Sequence, residues 1–163
     1  MRDAALPLAP HRRTVLLGGA GAALLAAGGA AGWRRAARPA AAGSAGTLAP
    51  GEALAAVRAG ELVLIDVRRP DEWAETGVPE GAVPIDVRRR DFAAALRDAA
   101  GDPARPVALI CARGVRSRRT AAALAGAGLT GVIDVPEGML GSAAGPGWLA
   151  RGLPVAPASG AAP

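Results

Sequence analysis

Short apolar runs alternate with amphipathic segments along the chain after residue 46. An apolar run bounded by glycine, proline or charged residues is typical of a buried strand, and apolar positions three and four apart are typical of a helix. The apolar runs predict strands over residues 61–67, 82–86, 106–111 and 131–135. The segments between them predict helices over residues 50–59, 70–74, 89–99 and 117–127. Strands and helices that alternate in units of about 30 residues indicate an α/β fold with a mainly parallel sheet.

The strand predicted over residues 106–111 is the most apolar of these and ends at Cys111. Parallel sheets bind their ligands at the carboxyl ends of the strands, so Cys111 stands where such a fold carries its chemistry. The chain has one cysteine, which excludes an internal disulfide and a cysteine-based metal cluster. A lone thiol of this kind is either an inert buried residue or a reactive one.

Residues 1–43 differ in character from the rest of the chain. Arg12 and Arg13 precede an uncharged run, rich in glycine and alanine, that continues to Trp33. Paired arginines before a moderately apolar run resemble a bacterial twin-arginine export signal. An ordinary Sec-type signal and a membrane helix are alternatives, because residues 14–33 are long enough to span a bilayer. The low hydrophobicity of the run favours a signal over a permanent anchor.

The residues that follow the apolar run leave the fate of this segment open. Arg34, Arg35 and Arg38 come directly after it, and positive charge there hinders translocation. A small-residue cleavage site, residues 40–42, lies some way beyond. Cleavage would give a soluble periplasmic or otherwise extracytoplasmic protein, whereas an uncleaved segment would anchor the protein to the membrane through residues 14–33.

The charge separates the parts of the chain in the same way. The formal net charge is +5, and the excess lies before Pro39: six arginines and one acid precede it, whereas thirteen arginines and thirteen acids follow. With aromatic residues at 2%, the neutral remainder lacks the charge and the stacking surface of a nucleic-acid binder. We expect three parts: a signal or anchor with a linker over residues 1–43, one domain over residues 44–157 and a disordered tail over residues 158–163.

The loop after the strand 106–111 combines a nucleophile with elements that bind anions. Gly114 lets the backbone curl so that successive N–H groups point inward. Arg116 supplies a fork of donors for an oxyanion or a sulfur anion. Ser117 is predicted to be the N-cap of the next helix, whose dipole favours negative charge at the same place. These elements are expected to hold Cys111 as a thiolate and to stabilise a persulfide anion on it. The alternative is a surface turn that happens to contain cysteine and arginine.

The loop over residues 111–117 resembles the rhodanese active-site pattern C-x-x-G-x-R-S. Further segments resemble the same family, in order and at suitable spacing. They are LIDVR at 64–68, PDEW at 70–73, PEGAVPI at 79–85, EGM at 137–139 and GLPV at 152–155. The resemblance covers residues 48–155 and implies a rhodanese-like fold, which is a mainly parallel five-stranded sheet flanked by helices.

The resemblance also implies a chemistry. In this family a cysteine accepts sulfane sulfur from thiosulfate or a persulfide and passes it to a thiol or cyanide. It implies that Cys111 is the nucleophile, that the donor is a small anion, and that no cofactor or metal takes part. The residues implied to form the sulfur-binding cradle are Ala112, Arg113, Gly114, Val115, Arg116 and Ser117. Asp66, Arg68 and Glu72 are implied to support the site, with Glu72 as a partner for one of the arginines. A purely structural set of salt bridges is the alternative.

Loop length separates two kinds of enzyme that have related loops. Arg116 follows Cys111 by five positions, and cysteine phosphatases place the arginine one residue further along. The predicted domain has no histidine, and the loop has no aspartate, that could protonate a phosphate leaving group. A cysteine phosphatase is therefore the less favoured enzyme, and a non-catalytic rhodanese-like binding module is a further alternative.

The last block departs from the pattern of the family. The usual Gly-Gly-Met-x-x-Trp appears here as Glu137, Gly138 and Met139, with residues 141–147 inserted before Trp148. We expect Trp148 to fill the core, and packing near the Cys111 loop is the alternative. The insertion is expected to reshape one wall of the pocket, so the choice of substrate is not implied by the resemblance.

Overall fold

The computed structural model describes residues 46–158. The predicted export signal or anchor, residues 1–43, and residues 159–163 of the predicted tail lie outside this part of the chain, and these assignments stay predictions. Within residues 46–158, no helix is long and apolar enough to cross a membrane.

A five-stranded sheet is the centre of the described domain. The described residues contain seven strands, and not all of them belong to this sheet. They are β1 (Gly46–Thr47), β2 (Val63–Asp66), β3 (Val78–Pro79), β4 (Val83–Pro84), β5 (Val107–Ile110), β6 (Val132–Asp134) and β7 (Val155–Ala156). Five of them form the main sheet in the order β1-β6-β5-β2-β4, with all neighbours parallel. β3 and β7 form a small antiparallel pair. The prediction of an α/β fold with a mainly parallel five-stranded sheet is confirmed.

Helices connect the strands. They are α1 (Pro50–Arg58), α2 (Pro70–Thr76), α3 (Phe92–Ala100), α4 (Val115–Gly126) and α5 (Gly147–Ala150). The predicted helices correspond to α1 through α4, and the predicted strands correspond to β2, β4, β5 and β6. The sequence pattern missed β1, β3, β7 and α5, because elements this short contain too few positions to show a period.

The core is built around the central strands of the sheet. Every residue of β2 and of β5 is buried. Phe92 and Leu96 of α3, and Ala121 and Leu124 of α4, belong to the same apolar cluster as these strands. Because helices cover both faces of a parallel sheet, its inner strands are nearly continuous apolar runs and do not alternate. This is why the sequence shows β2 and β5 as apolar runs.

The register of the two central strands sets the position of the candidate site. β2 and β5 are neighbours, and Asp66 pairs with Ile110 at their carboxyl ends. The pairing continues one step further, because the Val67 N–H donates to the Ile110 carbonyl at 2.9 Å. The chain segments that begin at Arg68 and Cys111 therefore leave the sheet side by side, at the carboxyl ends of the two strands.

Candidate active site

Cys111 follows the last residue of β5 as a free thiol and is 2% exposed. The Ser117 N–H donates to the Cys111 sulfur, with an N–Sγ distance of 3.4 Å. The sulfur therefore lies at the first turn of α4. The N–H groups at the start of a helix have no partner within it, and the helix dipole is positive there, so both favour negative charge on the sulfur.

The turn into α4 depends on Gly114, which has a φ of +75°. A Cβ at this position would collide with the Pro136 carbonyl oxygen, and this φ also strains any other residue. The prediction that Ser117 is the N-cap is wrong, because α4 begins at Val115 and Gly114 is its N-cap. The left-handed glycine turns the chain into the helix early. The Ser117 hydroxyl donates to the Gly114 carbonyl at 3.2 Å from inside the first turn.

The loop is supported from outside by the segment that follows β6. The Met139 N–H donates to the Cys111 carbonyl, and the Leu140 N–H donates to the Ala112 carbonyl, both at 2.9 Å. Gly138 allows this approach, since a Cβ there would lie 2.6 Å from the Ala112 carbonyl oxygen. The backbone of residues 138–140 thus forms the outer wall of the loop.

Arg116 forms an ion pair with Glu72 of α2. Its Nη1 donates to Glu72 Oε2 at 2.8 Å and to the Val67 carbonyl at 3.3 Å, and its Nη2 donates to Glu72 Oε1 at 3.3 Å. Burial opposes the ionisation of Glu72, but hydrogen bonds from Arg116 and from the Arg69 N–H outweigh it and hold the pKa of Glu72 below its ordinary value. The hydrogen bond to Glu72 raises the pKa of Arg116. Arg116 is therefore a cation that Glu72 holds in place in the first turn of α4.

Asp66 and Arg68 form a buried ion pair at the end of β2, where they are 0% and 1% exposed. Arg68 Nη2 lies 2.7 Å from Asp66 Oδ2, and Arg68 Nε donates to both carboxylate oxygens at 3.0 Å. The other donors of Arg68 bind the Glu72 carbonyl, the Thr76 hydroxyl and the Gly77 carbonyl at 3.0, 2.7 and 2.6 Å. Burial raises the pKa of Asp66, and the hydrogen bonds from Arg68 oppose that rise. Every donor of Arg68 is used inside the protein, and its contacts join β2 to α2. The Asp66–Arg68 pair therefore has the contacts of a purely structural salt bridge.

The remaining predicted cradle residues contribute backbone to the loop. Ala112 is half-buried, and the side chains of Arg113 and Val115 are exposed. The Arg113 guanidinium is 3.5 Å from the Gly141 carbonyl, which is too long for a strong hydrogen bond. The structure therefore brings Cys111, Ser117, Arg116 and Glu72 together, and it places the Arg113 side chain on the exposed surface of the loop.

A comparison with protein-family models identifies the family of this chain. The model of the rhodanese-like domain matches residues 49–143. The chain belongs to the rhodanese-like family. A comparison with curated protein sequences found no match.

Solved structures of similar fold include a sulfur-transfer protein. The 30 kDa polysulfide-sulfur transferase homodimer from Wolinella succinogenes is 26% identical, over 80% of this chain and 88% of that one, with a TM-score of 0.55. Rv0390 from M. tuberculosis is 32% identical, over 66% and 94% of the two chains, with a TM-score of 0.53. A Rhodopseudomonas palustris protein of unknown function, described as a possible tyrosine phosphatase, is 22% identical over 68% and 83%, with a TM-score of 0.51. At that identity the likeness concerns the fold alone.

The last block of this rhodanese-like domain is folded around its insertion. Trp148 is fully buried, as expected, and its Nε1 donates to the Pro154 carbonyl at 2.9 Å. Sequence reasoning missed the support that Met139 and Leu140 give to the loop. The signal that could have found it is Gly138, because a glycine in this block indicates a close approach between two backbones.

Proposed function

We propose that this rhodanese-like protein is a sulfurtransferase that carries sulfane sulfur as a persulfide on Cys111. The observation that carries the proposal is the buried Cys111 sulfur at the first turn of α4, where it accepts the Ser117 N–H. Backbone N–H groups, the helix dipole and the nearby Arg116 cation all stabilise a negative sulfur at this position. The likeness to the Wolinella polysulfide-sulfur transferase supports the same class of reaction.

In the proposed first step, the Cys111 thiolate attacks the sulfane sulfur of thiosulfate. A sulfur–sulfur bond forms to Cys111, the sulfur–sulfur bond of the donor breaks, and sulfite leaves with its electron pair. With a persulfide donor, a thiolate leaves in the same way. The terminal sulfur of the enzyme persulfide is then an anion, and the groups that stabilised the thiolate stabilise it too.

In the proposed second step, cyanide or a thiolate attacks that terminal sulfur. Thiocyanate or a new persulfide is released, and the Cys111 thiolate is restored. Since the chain has no second cysteine, the acceptor must be an external nucleophile, and no internal disulfide relay takes part.

We also propose that the domain acts outside the cytoplasm. The support is the pair Arg12 and Arg13 before the apolar run 14–33. Cell fractionation and the intact mass of the mature protein test this. An uncleaved chain recovered in the soluble cytoplasm of a host with active export would contradict it.

Comparison of the wild type with Cys111→Ser tests the sulfurtransferase. We expect thiosulfate to add the mass of one sulfur atom to the wild type and cyanide to release it as thiocyanate, with neither event in Cys111→Ser. Glu80→Gln is a control, because Glu80 is a partly exposed residue that pairs with Arg58. Equal thiocyanate production by wild type and Cys111→Ser would overturn the proposal. A wild type that takes sulfur from neither thiosulfate nor polysulfide, but hydrolyses an aryl phosphate through Cys111, would favour a phosphatase.

A further inference from the structure

The outer wall of the loop controls the direction of two cradle N–H groups. The peptide units of the described residues are trans, and in a planar trans unit the C=O and N–H point in opposite directions. The hydrogen bond from Met139 to the Cys111 carbonyl therefore also fixes the direction of the Ala112 N–H. In the same way, the bond from Leu140 to the Ala112 carbonyl fixes the Arg113 N–H.

The outer wall is in turn tied to α5. The Trp148 N–H donates to the Gly138 carbonyl at 2.9 Å, and the Leu149 N–H donates to the Met139 carbonyl at 3.1 Å. Residues 138–140 thus lie between the loop and α5: their carbonyls at 138 and 139 accept from α5, and their N–H groups at 139 and 140 donate to the loop.

One buried carboxylate connects α5 to the start of the outer wall. Glu137 is 5% exposed and accepts three N–H groups. Its Oε2 binds the Gly147 N–H at 3.0 Å and Arg151 Nε at 2.8 Å, and its Oε1 binds Arg151 Nη2 at 2.7 Å. Gly145 packs against the carboxyl group so closely that a Cβ there would lie 2.5 Å from Glu137 Cδ. The carboxylate therefore joins both ends of the insertion.

The chemistry of the contact requires a carboxylate. All three partners of Glu137 are donors, so an amide, which must present one NH2 group, leaves a donor facing a donor. Hydrogen bonds from Arg151 hold the pKa of Glu137 below its ordinary value. Position 137 is also where the sequence departs from the glycine of the family pattern, and the departure coincides with the insertion 141–147.

We propose that Glu137 and Arg151 are positioning residues for Cys111: their ion pair holds α5 and residues 138–140 against the loop, and so orients the Ala112 and Arg113 N–H groups toward the sulfur anion. Neither side chain touches the sulfur. The inference rests on the proposed sulfurtransferase for its kinetic consequence, but not for its structural one.

The structural consequence is measured by amide hydrogen exchange in Glu137→Gln and Arg151→Met. We expect faster exchange of the Met139 and Leu140 N–H groups, with no change at Leu109 in the core strand β5. Arg151→Lys keeps the charge but loses the fork and should be intermediate. Arg151 is the safer position to change, since its side chain is 39% exposed. Thermal melting shows that each variant is folded.

The kinetic consequence is measured by sulfur transfer from thiosulfate to cyanide. We expect kcat to fall roughly tenfold in Glu137→Gln and Arg151→Met with KM little changed, because N–H groups aimed at a developing charge act mainly on the transition state. Glu80→Gln breaks another carboxylate–arginine pair, Arg58–Glu80, and should leave both constants unchanged.

The possible outcomes separate the two proposals. Unchanged exchange at Met139 and Leu140 in folded Glu137→Gln overturns the positioning role, whatever the activity. Faster exchange with an unchanged kcat overturns it as well. A wild type that moves no sulfur, while the exchange of Met139 and Leu140 still responds to Glu137→Gln, overturns the proposed function and leaves the structural link standing.

Discussion

The same five residues, IDVRR, occur at positions 65–69 and at positions 85–89. Each copy stands at the carboxyl end of a strand, the first at β2 and the second at β4. The geometry is nearly the same. The N–H of Arg68 donates to Asp66 Oδ1 at 3.0 Å, and that of Arg88 donates to Asp86 Oδ1 at 2.9 Å. Local sequence alone is therefore sufficient to form this turn.

The surroundings of the two copies differ. Asp66 and Arg68 are buried at the end of a central strand, whereas the side chains of Asp86 and Arg88 are 14% and 62% exposed beside the edge strand β4. The remaining donors of Arg68 bind α2 and Gly77, the residue that follows it. The position in the sheet, and not the sequence of the turn, decides what the pair contributes to the fold.

The residues that follow give the copies different uses. Glu72 stands seven positions after Ile65, and Phe92 stands seven positions after Ile85. Glu72 reaches across to Arg116 in the loop that carries Cys111, while Phe92 is buried in the core. The first copy thus leads into α2, which supports the site through Glu72, and the second leads into α3, which packs against the core.

Matched substitutions at the two arginines give the largest expected effect. Arg68→Leu leaves the Asp66 charge buried without a partner, and we expect it to lower the free energy of unfolding by about 3–5 kcal/mol. Arg88→Leu removes the corresponding contacts with Asp86 at the surface and should leave stability nearly unchanged. Chemical denaturation of both variants is the measurement. Equal losses would show that burial does not distinguish the copies.

Glu72→Gln tests the use that is particular to the first copy. Because Glu72 and Arg116 are partly exposed, we expect the free energy of unfolding to fall by about 1 kcal/mol or less. Persulfide formation on Cys111 should slow by roughly threefold to tenfold, since Arg116 loses the charged partner that holds it. Asp91→Asn breaks the exposed Arg89–Asp91 pair of the second copy and is the control. If both variants take up sulfur at the wild-type rate, the Glu72–Arg116 pair has no part in the reaction.

The smallest expected effect is a difference in titration between Asp66 and Asp86. Hydrogen bonds from Arg88 lower the pKa of Asp86, whereas burial raises the pKa of Asp66. Asp86 therefore contributes stability above pH 3.8, its ordinary pKa, and loses it as the pH falls through its lower native value. For Asp66 the native state takes up the proton first, so its contribution decreases as the pH rises above 3.8. Carboxyl NMR resonances of the wild type followed against pH measure both, and Asp66 titrating below Asp86 would contradict the assignment.

The two copies also show how far sequence reasoning reaches. The apolar runs of β2 and β5 could be recognised because both of their faces are buried. Cys111, Gly114 and Arg116 could be recognised because their spacing is local. Which aspartate–arginine pair is buried could not be recognised from the pair itself, since the five residues are identical in both copies and the place of each in the sheet decides its burial.

Contacts between residues far apart in the sequence also could not be predicted. Glu137 and Arg151 stand fourteen positions apart across an insertion, and nothing in the sequence between them indicates an ion pair. The N-cap of α4 was placed wrongly because Ser117 is a common capping residue. The left-handed turn at Gly114 starts the helix before Ser117 is reached.

A single cysteine has a practical consequence for experiments on this protein. A fluorophore, spin label or cross-linker directed at thiols has one attachment point, so no cysteine-free background needs to be prepared. Because Cys111 is 2% exposed, we expect a bulky label to attach faster when residues 111–117 open. The rate of labelling at saturating reagent would then report the rate at which the loop opens, and the natural chain could be used for this measurement without any substitution.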